Sequence, residues 1–361
     1  MVGHYARTAG NLLRGRLTYV HAGVTHRCNL RCTMCRLWTR AGKLPEAPPE
    51  RWREVARILA ARGATTVSLG GGEPFCRQDL PDIVAAFADA NFRVRVLTNG
   101  VAPDRDKLRA CLQAGMADLS FSLDTLNPEL QARLDGLPGG LLKRQENMKR
   151  LMAEEFRPLN VLINTVITAY NLDELPRVAD LAYDSGFMIS FIPVHLDDSG
   201  SHDFFGDDLK LGFGPNDAGR LREVVRRLSA DKQRRGHIIN SRRFLQAIPA
   251  FLLEGRAVWP CKAGAVYLSL RPDAKASICH HYETSEAIEV EQIDKQWTAR
   301  VREKMIADCP GCLRPCWTEV SFLTTSPGAM WDQVHSLTRR RPRRATDPSA
   351  DKASAGSREN K

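Results

Sequence analysis

The chain has 361 residues, 43% of them hydrophobic, with ten cysteines and a formal net charge of +10. That length holds one sizeable core and a smaller second domain; no apolar run approaches membrane-spanning length, and the N-terminus lacks a secretory signal pattern. Ten mostly clustered cysteines suit metal sites in a reducing cytoplasm better than a disulfide scaffold.

In chain order, residues 1–14 read as a basic N-terminal helix, packed outside the core or touching a membrane surface. No acidic residue precedes Glu46, whereas Arg7, Arg14, Arg16, Arg27, Arg31, Arg36, Arg40 and Lys43 do. Positive charge there favours an anionic electron donor. Cys28, Cys32 and Cys35 follow as C-x-x-x-C-x-x-C. Three thiolates on one short loop suit a 4Fe–4S cube, leaving one iron open for a small molecule. Zinc is the rival, although zinc sets more often pair C-x-x-C with a second such pair.

The next strand-like segment, 65–69, runs into Gly70, Gly71, Gly72, Glu73 and Pro74. Glycines at a strand end let backbone approach a ligand, and a following carboxylate can pair with an ammonium group. Strand-like segments recur at 93–97, 117–123, 161–167 and 188–194, alternating with helical patterns at 79–90, 104–114, 144–155 and 173–184. Asn91, Gly115 and Gly186 sit where three of those helices stop, as residues tolerant of the left-handed conformation do. Alternating strands and helices of this length predict a parallel sheet with crossover helices.

The cysteine loop followed by the G-G-E-P turn resembles the radical S-adenosylmethionine (SAM) enzymes over residues 15–200. The resemblance implies an α/β fold, a partial (β/α)6 TIM-like barrel. It implies a 4Fe–4S cluster on Cys28, Cys32 and Cys35 whose open iron chelates SAM. In that family, cluster reduction cleaves SAM to methionine and a 5′-deoxyadenosyl radical, which takes hydrogen from an unactivated C–H bond. Gly71, Gly72, Glu73 and Pro74 match the motif holding the SAM amino group. Ser122, Asp124 and Asn164, with Asn99, match strand-end positions contacting ribose, carboxylate or adenine. Taken singly, such Ser, Asn and Asp residues also cap helices. Met34 departs from the aromatic residue common before the third cysteine, yet can pack softly against adenine.

A polar break at 197–216 and a basic helix-like stretch at 217–235 lie in a 201–255 linker segment. A cysteine-rich segment, 256–335, carries Cys261, Cys279, Cys309, Cys312 and Cys316, with a hairpin about Arg271, Pro272 and Asp273. It resembles the SPASM or shortened twitch domain of radical SAM proteins. The full pattern uses seven cysteines for two extra clusters; five imply one auxiliary 4Fe–4S cluster. Cys261, Cys279, Cys309 and Cys312 are the preferred ligands and Cys316 the spare, or a replacement for one of them. A zinc knuckle is the alternative. Cys111 reads as core packing; Cys76 as core filler or a thiol returning hydrogen to a substrate radical. His280, His281 and Tyr282 are candidates to face substrate. From Arg339 onward, six Arg and two Lys oppose three acidic residues, so 336–361 reads as a disordered basic tail.

The expected function is anaerobic radical SAM chemistry, with a flavodoxin or ferredoxin donor. An auxiliary cluster with no open iron would accept an electron from the substrate radical. That favours two-electron oxidation of a natural-product or cofactor precursor over epimerisation. Only about 15 residues precede the first strand, so no leader-peptide domain is expected there, which tilts the substrate toward a small molecule. A cross-linking maturase or epimerase of a ribosomally made peptide is the alternative. From another class, a non-catalytic metal-dependent nucleic-acid-binding protein is disfavoured by the placement of the G-G-E-P turn.

Overall fold

A computed structural model describes residues 2–196, 209–255, 259–280, 287–309, 311–325 and 328. The expected polar break is therefore seen only from 209 onward, and His281, Tyr282 and the basic tail lie outside the described residues.

Six strands run parallel in sequence order: β1 (Tyr19–Thr25), β2 (Thr66–Gly71), β3 (Arg93–Thr98), β4 (Met116–Ser122), β5 (Asn160–Ile167) and β6 (Met188–Pro193). Their crossovers carry α2 (Pro49–Ala61), α3 (Leu80–Asp89), α4 (Arg105–Gln113), the pair α5 (Pro128–Asp135) and α6 (Gly140–Leu151), and α7 (Leu175–Asp184). β1 is buried along its whole length because helices cover one face and the barrel interior faces the other. Trp52 and Phe87 pack 6.1 Å apart between α2 and α3, and Cys111 is fully buried on α4, as expected. Each such large apolar side chain contributes about 1.5–3 kcal/mol of burial energy. Asn91, Gly115 and Gly186 have φ of 62°, 104° and 69°, the left-handed helix ends expected of them.

The sheet does not close. Its order is β6-β5-β4-β3-β2-β1-β7-β8, where β7 (Tyr267–Leu270) pairs in parallel with β1 and β8 (Ala276–Ser277) folds back on β7. The turn between them spans Arg271–Ala274, as the hairpin reading expected, with Asp273 paired to Arg271. β7 thus adds the second cysteine segment to the barrel sheet itself. Segment 237–239 covers the β6 edge through Ile189. Around the sheet lie α1 (Val2–Leu13), α8 (Ala218–Arg235), α9 (Arg242–Glu254), α10 (Lys295–Asp308) and α11 (Pro315–Thr325). α1 lies on the barrel exterior, where Thr8 bonds Thr65 and Asn11 donates to the Gly63 carbonyl. No helix among the described residues is long and apolar enough to cross a membrane.

Candidate active site

The C-terminal ends of the parallel strands surround a cavity of about 320 Å³, a size typical of small-ligand sites. Cys28, Cys32 and Cys35 line it, on the loop leaving β1. That loop is propped by the end of α5: Arg31 N donates to Asp135 O at 3.1 Å and Thr33 N to Leu134 O at 2.9 Å. Gly136 caps α5 with φ 74°, and a Cβ there would meet the Arg31 carbonyl at 3.2 Å.

Burial pushes the Cys28 thiol up to about 11, with Glu73, Cys35 and Cys76 acting in the same direction. Burial raises the Cys32 thiol strongly too, with Cys35 and Cys28 next in effect. The three sulfurs therefore feel one another in a water-poor site, where a bound cation is what would favour their thiolates. Among the described residues no three His, Cys, Asp or Glu side chains gather about one ion-sized point. Cube ligands bind separate irons and need not do so.

Gly71 and Gly72 line the same cavity where β2 ends. A Cβ on Gly71, at φ 105°, would lie 2.3 Å from the Thr25 carbonyl; one on Gly72 would lie 2.2 Å from that of Arg27. Both contacts are with backbone that carries the cysteine loop. Gly72→Ala is therefore expected to displace the loop, at a cost of about 1–3 kcal/mol in strain. SAM affinity measured by equilibrium dialysis should fall at least about tenfold, and an unchanged affinity would refute the close-approach reading.

Glu73 is fully buried behind this wall and does not line the cavity. Its carboxylate accepts from Phe75 N at 3.1 Å, Thr98 Oγ1 at 3.0 Å and Asn99 N at 2.7 Å. Burial pushes its carboxyl up to about 7 against those three donors. Pro74 is buried in the turn that follows, and Cys76, half-buried, is also absent from the cavity wall.

Asn99, Ser122, Asp124 and Asn164 all line the cavity. Asn99 Nδ2 donates to Asn29 Oδ1 at 2.7 Å and lies 4.0 Å from Cys28 Sγ. Asp124 Oδ1 accepts from Val166 N at 2.8 Å, and burial lifts its carboxyl to about 6. Met34 also faces the cavity.

Sequence reasoning missed the groups that brace these residues. Arg144 is buried, pairs with Asp135 at 2.6 Å, and donates Nε to Asn99 O at 2.9 Å and Ser122 O at 3.2 Å. Trp38, three residues past the last loop cysteine, lines the cavity with a buried Nε1 that has no hydrogen-bond partner among the described residues. His21, His195, His280 and Arg314 also line the cavity. Of these only His280 drew notice in the sequence; a buried arginine such as Arg144, 22 residues past the end of β4, carries no local pattern.

The second cysteine set lies beside that wall. Cys261 Sγ is 3.1 Å from Tyr267 Oη, and the Trp259 indole donates to Cys312 O at 2.6 Å. Burial raises the Cys312 thiol, with Cys279 and Cys261 the next causes and Cys309 also within reach. Cys316 lies apart from the others: burial pushes its thiol up to about 11, with Arg314 and Arg95 the charged groups that act on it and no other cysteine among its causes.

Residues 23–182 match the model of the Radical SAM superfamily. Such a domain implies a 4Fe–4S cluster and SAM, and the loop thiols beside a ligand-sized cavity fit that pair. Among individual relatives, the PqqA peptide cyclase of Ruegeria pomeroyi is 30% identical over 166 residues, 46% of this chain and 44% of the relative. That of Methylobacterium sp. (strain 4-46) is 34% identical over 169 residues, 46% and 43% of the two chains. The chain thus spans less than half the length of the curated relatives it matches. Streptococcus suis SuiB superposes with a TM-score of 0.61 at 15% identity, covering 83% of this chain and 71% of that one. anSMEcpe with bound AdoMet gives 0.56 at 14%, covering 90% and 98%. These likenesses bear out the α/β partial barrel.

Proposed function

We propose that this protein is a radical SAM enzyme that carries out a two-electron oxidation on a peptide, with one auxiliary 4Fe–4S cluster. The observation that carries the reading is one cavity shared by Cys28, Cys32, Cys35, the Gly71–Gly72 backbone and the strand-end Ser122, Asp124 and Asn164. Cys28, Cys32 and Cys35 would hold the 4Fe–4S cluster, which would supply the electron for reductive cleavage of SAM. Ser122, Asp124 and Asn164 would hold the ribose and carboxylate of SAM, and the Gly71–Gly72 backbone would meet its amino end. Glu73 acts as a positioning residue, fixing the Thr98 and Asn99 segment that faces the ligand.

Cys261, Cys279, Cys309 and Cys312 hold the auxiliary cluster, and the distinct surroundings of Cys316 support its role as the spare. Cys76 stands outside the cavity wall, which weighs for electron transfer and against hydrogen return by that thiol. The peptide substrate is supported by relatives named PqqA peptide cyclase, and it displaces the small-molecule expectation. An anionic flavodoxin or ferredoxin suits the basic residues flanking the cysteine loop.

The test is anaerobic reconstitution followed by dithionite and SAM, with 5′-deoxyadenosine and methionine quantified. The unmodified chain should yield both, and Cys32→Ser neither. A reconstituted chain that binds SAM but forms no 5′-deoxyadenosine would remove the radical reading.

A further inference from the structure

A tyrosine hydroxyl is set against one thiol of the second cysteine set. Cys261 and Tyr267 lie six residues apart, and the turn between them folds back on itself. Ala265 N and Val266 N both donate to Lys262 O, at 3.0 and 3.1 Å, and Gly264 N donates to Tyr267 O at 2.9 Å. Gly264 has φ 76°, and a Cβ there would meet Thr298 Cγ2 at 3.0 Å, so the turn is built for glycine. The turn brings Tyr267 Oη to 3.1 Å from Cys261 Sγ.

Both partners are held from outside the turn. Tyr267 begins β7, pairs in register with Tyr19 of β1, and is 1% exposed. Its ring packs against Trp317 with centroids 5.9 Å apart. Arg302 of α10 donates to Cys261 O at 2.7 Å, and Lys262 N donates to Ser321 Oγ on α11 at 3.3 Å. Backbone N–H groups reach cysteine sulfur from farther away: Ala263 N to Cys261 at 3.4 Å, Gly311 N to Cys309 at 3.4 Å and Leu30 N to Cys28 at 3.5 Å. Cys279 and Cys312 also act on the Tyr267 hydroxyl, so it faces the set and not one thiol alone.

A thiolate bound to iron has no proton to give, so in that state the hydroxyl is the donor. Reduction places more negative charge on the sulfurs, and a hydrogen bond to them is then stronger. Hydrogen bonds to sulfur are accordingly among the levers that set iron–sulfur potentials. We infer that Tyr267 is a positioning residue whose hydroxyl, donated to the Cys261 thiolate, raises the reduction potential at the second cysteine set. The site thereby becomes a better electron acceptor. That a 4Fe–4S cluster sits there, as the oxidant, rests on the function proposed above. In that reading the substrate loses a hydrogen atom first, then one electron to this site and one proton to water.

The experiment is an anaerobic redox titration, read by electron paramagnetic resonance, of the reconstituted full chain carrying Cys28→Ala, Cys32→Ala and Cys35→Ala. That parent leaves the signal of the second set alone. Tyr267→Phe keeps the ring and removes the hydroxyl. It should shift the reduced-to-oxidised ratio at a fixed potential at least about threefold toward oxidised, about 28 mV for one electron. Tyr267→3-fluorotyrosine, a stronger donor on nearly the same frame, should shift it the other way. Iron should stay at about four per chain in all three proteins. A smaller shift in the Phe variant, or one toward reduced, overturns the inference. Should that variant fail to fold, a fluorotyrosine protein titrating at or below its parent overturns it as well. A parent that holds zinc and no iron would defeat the auxiliary-cluster reading, and the role of Tyr267 with it. Iron in the parent beside an unmoved potential would defeat the role of Tyr267 alone.

Discussion

Replacing Cys28, Cys32 and Cys35 together with alanine is expected to leave about four irons per chain, where the unmodified protein takes up about eight on anaerobic reconstitution. The loop cysteines line the strand-end cavity, whereas Cys261 and Cys312 are tied down by groups of the C-terminal segment, Tyr267 and Trp259. Removing the first set takes away no contact made by the second, so the second cluster should assemble unaided. Cys316→Ala should leave the count at about eight, because that thiol faces Tyr19 and Arg95 in place of its neighbours. Iron and sulfide analysis with zinc measured in parallel decides the matter. A triple variant with no iron would assign the last five cysteines to zinc or to nothing, and redox-neutral chemistry would become the better reading.

Arg144→Ala should lose about 3–5 kcal/mol of stability, the usual effect of leaving one partner of a buried ion pair alone. Side chains of Arg144 and Asp135 are 2% and 3% exposed, so neither is rescued by water. Gln131 Nε2 at 3.1 Å and Leu137 N at 2.8 Å still reach Asp135, but they supply no charge. The loss also propagates to the site: Asn99 O and Ser122 O each lose a donor, and the end of α5 that props Arg31 and Thr33 loosens. SAM affinity should drop with stability. The double variant Arg144→Met/Asp135→Leu separates the two effects. Urea unfolding should show most of the stability restored, since apolar replacement of a buried pair is often neutral, while SAM affinity stays low. A single variant that loses less than about 1 kcal/mol would show that water reaches the pair.

Much of the barrel was legible from local pattern. The five strand-like segments fall within about two residues of β2 to β6, because a strand buried on both faces reads as a short apolar run bounded by Gly or Asn. The cysteine loop was legible because thiol chemistry demands its ligands at short, countable spacing. α5 escaped notice: its eight residues carry no strong apolar stripe, yet its carbonyl end supports the cysteine loop. α9, α10 and α11 escaped as well. Their boundaries answer to packing on the barrel more than to their own periodicity.

By itself the sequence determined which residues are candidates for the site. Cys28, Cys32 and Cys35, the glycines at 70–72 and the strand-end polar residues are all set by short-range covalent spacing or by backbone that tolerates no Cβ. Tertiary structure alone decided which distant residues share the cavity. β7 pairs with β1 across about 240 residues, bringing Arg314 and His280 opposite Ser122 and Asp124. It also set the Glu73 carboxylate on Asn99 N and gave Arg144 to Asp135. Contacts of that kind depend on how sheet and helices close on one another. No spacing within a single segment encodes them.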